Sequence, residues 1–186
     1  MRMGARYEED VRRLAEDVRI PWDELDGSCV VVTGATGLLG GLVADALAAR
    51  GTVRVVLPVR NEKKAAARFG HASAVRIVAW DACSGEVPDV RDCTHVVHCA
   101  SNTDSRLMVE RPVDTIDAIV AGTRSMLELA RANGARLCFA SSMEVYGAGA
   151  EGTLDESRGG ALDAMSVRSS YPQAKQLAET LCASFA

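Results

Sequence analysis

The segment Val30–Gly40, VVVTGATGLLG, constrains this chain more than any other stretch. The run Cys29-Val30-Val31-Val32 is short, uncharged and β-branched, the pattern of a central parallel strand buried on both faces. Thr33-Gly34-Ala35-Thr36-Gly37 reads as a turn, and Leu38 to Leu47 carries the apolar spacing of a helix. Gly34, Gly37 and Gly40 fall three residues apart. Glycines so placed let the backbone approach a pyrophosphate closely and let the helix pack tightly on the strand. The free N–H groups and positive dipole at a helix start favour those phosphates. The stretch therefore points to a dinucleotide site, with Gly34, Thr36, Gly37, Leu38, Leu39 and Gly40 as candidate cofactor contacts.

Strand and helix alternate through the rest of the chain. Strands are expected at Thr52–Val59, Ala74–Trp80, Thr94–Ala100 and Arg136–Ala140. Helices are expected at Glu62–Phe69, Pro112–Asn133 and Tyr171–Phe185. Gly134 suits the C-cap of the long helix, and Gly122 inside it marks a close approach. Val113, Ile116, Val120, Met126, Leu127 and Leu129 are expected on its buried side. Such alternation means an α/β fold, a Rossmann-like doubly wound parallel sheet with helices on both faces. The 186 residues suit one such domain at 28–186, preceded by a helical leader at 1–27. In the leader, Tyr7–Ile20 reads as an amphipathic helix with Tyr7, Val11, Leu14 and Val18 on one face. Pro21 ends it, and Trp22 and Leu25 are expected to pin it to the sheet.

Charge and composition exclude several function classes. A net charge of −4 without a basic patch argues against nucleic acid as a partner. The apolar runs are too short to cross a membrane and no signal-peptide pattern opens the chain, so a cytoplasmic protein is expected. The six cysteines form no C-x-x-C pair; Cys29, Cys83, Cys99 and Cys138 are expected as reduced core residues. His95, His98 and Cys99 share one strand without further ligands nearby in sequence, so no metal site is read.

Ligands of such sheets bind beyond the carboxyl ends of the strands, which directs attention to the residues just after each strand. Arg60 comes after the second strand, with no acid before Glu62; an arginine there suits the extra phosphate of NADP better than the ribose of NAD. Asp81-Ala82 comes after the third strand, where an acid can accept from an adenine amino group. Ala100 and Ser101 are small and leave room beside a cofactor. Ser141-Ser142-Met143-Glu144-Val145-Tyr146-Gly147 comes after the fifth strand. The last helix opens with Ser169-Ser170-Tyr171-Pro172-Gln173-Ala174-Lys175; either serine can cap it. Tyr171 and Lys175 are four apart and share a face. An ordinary phenol ionises near pKa ~10 and is a poor base at neutral pH. A neighbouring ammonium favours the phenolate, which can then exchange a proton with a substrate hydroxyl.

In these motifs the chain resembles the extended short-chain dehydrogenase/reductase family, in its nucleotide-sugar epimerase/dehydratase branch. The resemblance rests on Thr33–Gly40, Asp81, His98-Cys99-Ala100-Ser101, Ser142–Gly147 and Tyr171 through Lys175, all in family order from Cys29 onward. It implies that Tyr171 is the acid/base, that Lys175 holds the nicotinamide ribose and tunes the tyrosine, and that Ser142 bonds the reacting hydroxyl. It implies a nucleotide-sugar substrate, NADP or NAD as cofactor, and hydride transfer from a sugar carbon through a transient keto sugar. Relatives often dimerise through the two long helices as a four-helix bundle. Glu144 is a catalytic candidate, or a hydrogen-bonded loop residue; dehydratases commonly pair it with an Asp where Met143 stands. Ile119 replaces an asparagine often found three residues before the Gly-Thr pair, here Gly122-Thr123. Family members continue well past the Tyr/Lys helix, where most of the sugar pocket is built, so a truncated chain is expected. The alternative function is a non-catalytic dinucleotide-binding module or an inactive fragment. The intact Ser142, Tyr171 and Lys175 set favours the enzyme.

Overall fold

In the computed structural model, which describes residues 4–147, 152–156 and 160–186, β1 (Cys29–Thr33) lies at the centre of a five-stranded parallel sheet. Its order is β3 (Val75–Ala79), β2 (Arg54–Val59), β1, β4 (His95–His98), β5 (Arg136–Phe139). Val31 is opposite Val56 on one side and Val96 on the other. All five β1 residues are buried, as the uncharged β-branched run requires. The chain winds outward from β1 in both directions, so the order reverses between β1 and β4. A crevice opens at such a reversal, outside the carboxyl ends of the strands.

Side chains alternate across the sheet and feed two cores. Val30, Val32, Val55 and Leu57 pack under α2 (Leu39–Arg50) and α3 (Glu62–Phe69), with Phe69 and Leu47 closing that layer. Cys29, Val31, Val56 and Val96 pack with Met126, Leu129 and Ala130 of α5 (Pro112–Asn133). Helices therefore cover both faces, and the doubly wound reading holds. α5 has the expected bounds: Pro112 starts it and Gly134 ends it in the left-handed region at φ 63°. A third cluster joins α4 (Ser105–Glu110), α5 and α6 (Ser170–Phe185) through Met108, Ile119, Tyr171, Ala174 and Ala178.

Several local expectations are corrected. The leader helix α1 is Ala5–Ala15, not Tyr7–Ile20. Asp17 ends it earlier, because its carboxylate accepts from the Arg19 backbone N–H at 3.0 Å and folds residues 17–19 into a local turn. Val18 is consequently exposed, while Tyr7, Val11 and Leu14 remain part-buried. Trp22 and Leu25 do pack on the core. Tyr7 donates to Asp45 on α2 at 2.8 Å, and Arg68 on α3 reaches both groups. Burial and the Asp45 carboxylate push the Tyr7 phenol up to about 12, so it stays a donor. Val113 and Ile116 are exposed rather than buried, because the first turns of α5 bury the face that carries Thr115 and Ile119 instead. Cys83 and Cys138 are also exposed: Cys83 sits in a surface turn, and β5 is a sheet edge covered incompletely. The strands are one to two residues shorter than expected at their ends. α4, capped by the Asp104 side chain, had no expectation in the sequence.

Candidate active site

The glycine turn sits at the reversal between β1 and β4. Gly34 has φ +69°, and a Cβ there would lie 2.7 Å from the Cys99 carbonyl carbon. A Cβ on Gly40 would lie 2.7 Å from the carbonyl oxygens of Thr33 and Gly34. These two glycines let the turn touch the end of β4 and let α2 press onto the turn. Gly37 donates its N–H to the Gly34 carbonyl at 2.9 Å and closes the turn. No side chain caps the start of α2, where Leu38 and Leu39 are exposed. An uncapped helix start after a glycine-rich turn fits a pyrophosphate.

Thr33 locks this turn to β4. Its hydroxyl accepts from the Ala100 N–H at 3.0 Å and lies 2.7 Å from His98 Nδ1. The two contacts tie the Thr33 hydroxyl to the end of β4 by backbone and by side chain. Burial, helped by the Lys175 charge, pushes the His98 pKa down to about 3, so the ring stays neutral. It stacks on Phe139 and meets Trp80 edge-on. His98 thus serves the packing of the crevice, and His95 hydrogen-bonds its neighbour Thr94. Among the described residues no group of three His, Cys, Asp or Glu side chains could hold a metal.

The other candidate cofactor residues line the same edge. Arg60 is exposed immediately after β2, and Asn61 beside it caps α3 by accepting from the Lys64 N–H at 2.9 Å. Asp81 is exposed after β3 and its carboxylate accepts from the Cys83 N–H at 3.0 Å. Ala82 rests against Gly122, where a Cβ would be 3.0 Å from the Ala82 Cβ, so the close approach expected of that glycine is real. Ala100 and Ser101 are half-buried across from the glycine turn.

α6 brings the remaining groups to the ends of β4 and β5. Lys175 is 2% exposed, and its Nζ donates to the Ala140 carbonyl at 2.7 Å. The same ammonium lies 4.5 Å from the centre of the Phe139 ring and 5.9 Å from that of Tyr171. Burial pushes the Lys175 pKa down to about 8, against the opposing influence of Cys99 and Glu179. It remains a cation at neutral pH. Tyr171 is buried against Met108 and Ile119, and among the described residues its hydroxyl has no hydrogen-bond partner. Ile119 therefore fills with apolar packing the place where the family resemblance expects an asparagine. Neither Ser169 nor Ser170 caps α6. Ser170 instead donates to the Met108 carbonyl at 3.1 Å and ties α6 to α4.

Ser142 opens a 3₁₀ turn, Met143–Tyr146, and its hydroxyl accepts from the Glu144 N–H at 3.2 Å. That leaves the hydroxyl proton available to donate elsewhere. Glu144 is half-buried and makes two 2.9 Å contacts with Arg168, three residues before Tyr171. The ion pair holds the Arg168 guanidinium further above its ordinary range. Sequence reasoning missed Arg168, because nothing local links it to an acid 24 residues upstream. Tyr171 and Lys175 thus lie together at the ends of β4 and β5, and the Ser142 hydroxyl follows β5; a phenol with an ammonium near its ring is a pair that can exchange a proton.

The chain matches the family model described as the NAD dependent epimerase/dehydratase family over residues 30–186. It is 32% identical over 158 residues to UDP-glucuronic acid decarboxylase 2 of Arabidopsis thaliana, covering 83% of this chain and 35% of that protein. It is 31% identical over 156 residues to UDP-glucuronate 4-epimerase 1 of the same plant, covering 77% and 35%. UDP-N-acetylglucosamine 4-epimerase from Methanobrevibacter ruminantium M1 shares the fold, with a TM-score of 0.70, 22% identity and coverage of 86% and 50%. The chain thus spans about a third of the length of the curated relatives it matches.

Proposed function

The chain belongs to the NAD dependent epimerase/dehydratase family, and on that premise we propose that it works in an NAD(P)-dependent oxidoreductase acting on a nucleotide sugar. Residues 28–186 are then its cofactor-binding domain and 1–27 a leader packed on it. One observation carries the reading: α6 brings the buried Lys175 ammonium to the Ala140 carbonyl just after β5 and within 5.9 Å of the Tyr171 ring centre. The turn Gly34–Gly40 would hold the cofactor's pyrophosphate, with Thr36, Leu38 and Leu39 offering backbone contacts. Asp81 and Ala82 would receive the adenine end, and Ala100, Ser101, Tyr171 and Lys175 the nicotinamide end. When bound, the nicotinamide supplies a hydride acceptor. Tyr171 takes the proton of the sugar hydroxyl, Ser142 donates to that oxygen, and the Lys175 charge favours the phenolate. The sugar carbon loses its hydride and becomes a ketone. Glu144 enters a later step only when Arg168 releases it.

NADP is favoured over NAD because Arg60, not an acid, comes directly after β2. A cytoplasmic location accords with six unpaired cysteines, and no helix among the described residues is long and apolar enough to cross a membrane. The substrate is a nucleotide sugar rather than nucleic acid. α5 and α6 pack together, and pairing them with the same two helices of a second copy would make a four-helix-bundle dimer.

Titration of the chain with NADPH and with NADH tests the cofactor reading. NADPH is expected to bind at least tenfold more tightly, with Arg60→Asp reversing the order; no binding of either sinks the proposal. Replacing Tyr171 with Phe is expected to lower kcat with a nucleotide sugar by about 10²–10⁴-fold while cofactor affinity changes less than threefold. Unchanged biological performance of that variant would instead favour a non-catalytic binding module.

A further inference from the structure

Gln176 lies next to Lys175 on α6, and none of the chemistry above uses it. Its side chain Nε2 donates to the Val145 carbonyl at 2.8 Å and to the Gly160 carbonyl at 3.2 Å. Both neighbours are acceptors, so the amide must present its NH2 group to them. Three further observations converge on this point. A Cβ on Gly160 would overlap the Val145 carbonyl and the Tyr146 backbone. Gly147, at φ +77°, pairs with Ala161 in a short parallel bridge, and a Cβ there would overlap the Ala161 carbonyl. Ser141 hydrogen-bonds Glu179, one helical turn beyond Lys175 on α6. The 3₁₀ turn that carries Ser142 and Glu144 is thus pressed between residues 160–161 and α6, and Gln176 is the side chain that bonds both layers.

We propose that Gln176 is a positioning residue: its amide clasps the turn Met143–Tyr146 to α6 and so sets Ser142 against Tyr171 and Lys175. The physical reason lies in the sheet. β5 alternates between exposed and half-buried residues, so burial alone does not fix the loop after it. Two directed hydrogen bonds from a half-buried amide supply that registration. Lys175 and Gln176 work as a pair, Lys175 holding the last carbonyl of the strand end at Ala140 and Gln176 holding Val145 five residues on. The consequence for Ser142 rests on the catalytic reading above; the clasp itself does not.

The turn contains its own reporters. The N–H groups of Glu144, Val145 and Gly147 are all bonded within it. Amide hydrogen exchange across 142–147 is measured on the whole chain as wild type, Gln176→Glu, Gln176→Leu and Gln176→Lys, with NADPH titrated into each. Glutamate is isosteric with glutamine but a carboxylate has no proton to donate, leucine keeps apolar bulk, and lysine restores a donor. Exchange in the turn is expected at least tenfold faster in the Glu and Leu variants and within threefold of wild type in the Lys variant. Exchange in β1 and α5 and the affinity for NADPH should stay unchanged. Wild-type exchange in Gln176→Glu, or failure of lysine to rescue, overturns the proposal. Absence of NADPH binding in the wild type would sink the cofactor reading, and the exchange pattern would still decide the clasp.

Discussion

The glycine turn after β1 and the serine turn after β5 stand at the same edge of one sheet, and opposite means hold them. β1 is buried along its whole length, and its turn is shaped by what is missing: side chains at Gly34 and Gly40 would strike backbone. β5 is half covered, and its turn is shaped by side chains reaching back from α6: Lys175 to Ala140, Gln176 to Val145, and Arg168 from just upstream to Glu144. A site formed by backbone contact is written in adjacent residues. A site formed by tethers depends on residues some thirty positions away, and it can be loosened one bond at a time.

The largest effect should come from breaking the first kind of support. Gly34→Val forces a β-branched residue to a positive φ and drives its Cβ into Cys99, which no rotamer relieves. A loss of about 3 kcal/mol or more in stability is expected, with NADPH affinity down over a hundredfold, by denaturant titration and calorimetry. A variant that binds normally would show that the turn is as tolerant as its counterpart.

Lys175 offers an intermediate test. Its folded pKa of about 8 lies below the ordinary lysine value of 10.5, so between these pH values the unfolded chain binds more protons. Wild-type stability relative to Lys175→Met should therefore rise with pH across that window, by up to about 3 kcal/mol. Taking the difference removes the contribution of Cys29 and Cys93, whose raised pKa values act in the opposite direction; Cys99, which faces Lys175, is replaced by Ser in both chains of the comparison. A flat difference would mean that the ammonium is effectively solvated and that the second turn lacks its central tether.

The smallest effect is expected where the leader meets α2 and α3. Tyr7→Phe removes the hydrogen bond to Asp45 and the one accepted from Arg68, and leaves the Arg68–Asp45 pair. Thermal unfolding should show a loss of about 1 kcal/mol, with NADPH affinity unchanged. A larger change in affinity would mean that the leader helps to hold α2, and hence the glycine turn.

The motif residues of both turns were legible in the sequence, but their surroundings were legible to different degrees. Val30–Gly40 carries its own geometry, and so does α5, bracketed by Pro112 and Gly134. Around the second turn, Tyr171 and Lys175 were readable from their four-residue spacing. Arg168 as partner of Glu144, Ser170 as a tie to Met108, and Gln176 as a clasp were not. Each pairs residues that only the packing of α6 on β5 and α4 brings together. The same limit explains Val113, Ile116 and Cys138: their apolar character is plain, but whether a neighbour covers them depends on how the elements pack.

By itself the sequence determined the alternation of strands and helices, the glycine turn and the placement of reactive residues after strand ends. Those arise from steric rules and hydrogen bonds that act within a few residues. The tertiary structure alone decided that Lys175 is buried against Phe139, that Tyr171 packs in one cluster with Ile119, and that Glu144 is held by an arginine. Burial and desolvation depend on which surfaces meet, and that is settled only when the helices close over the sheet.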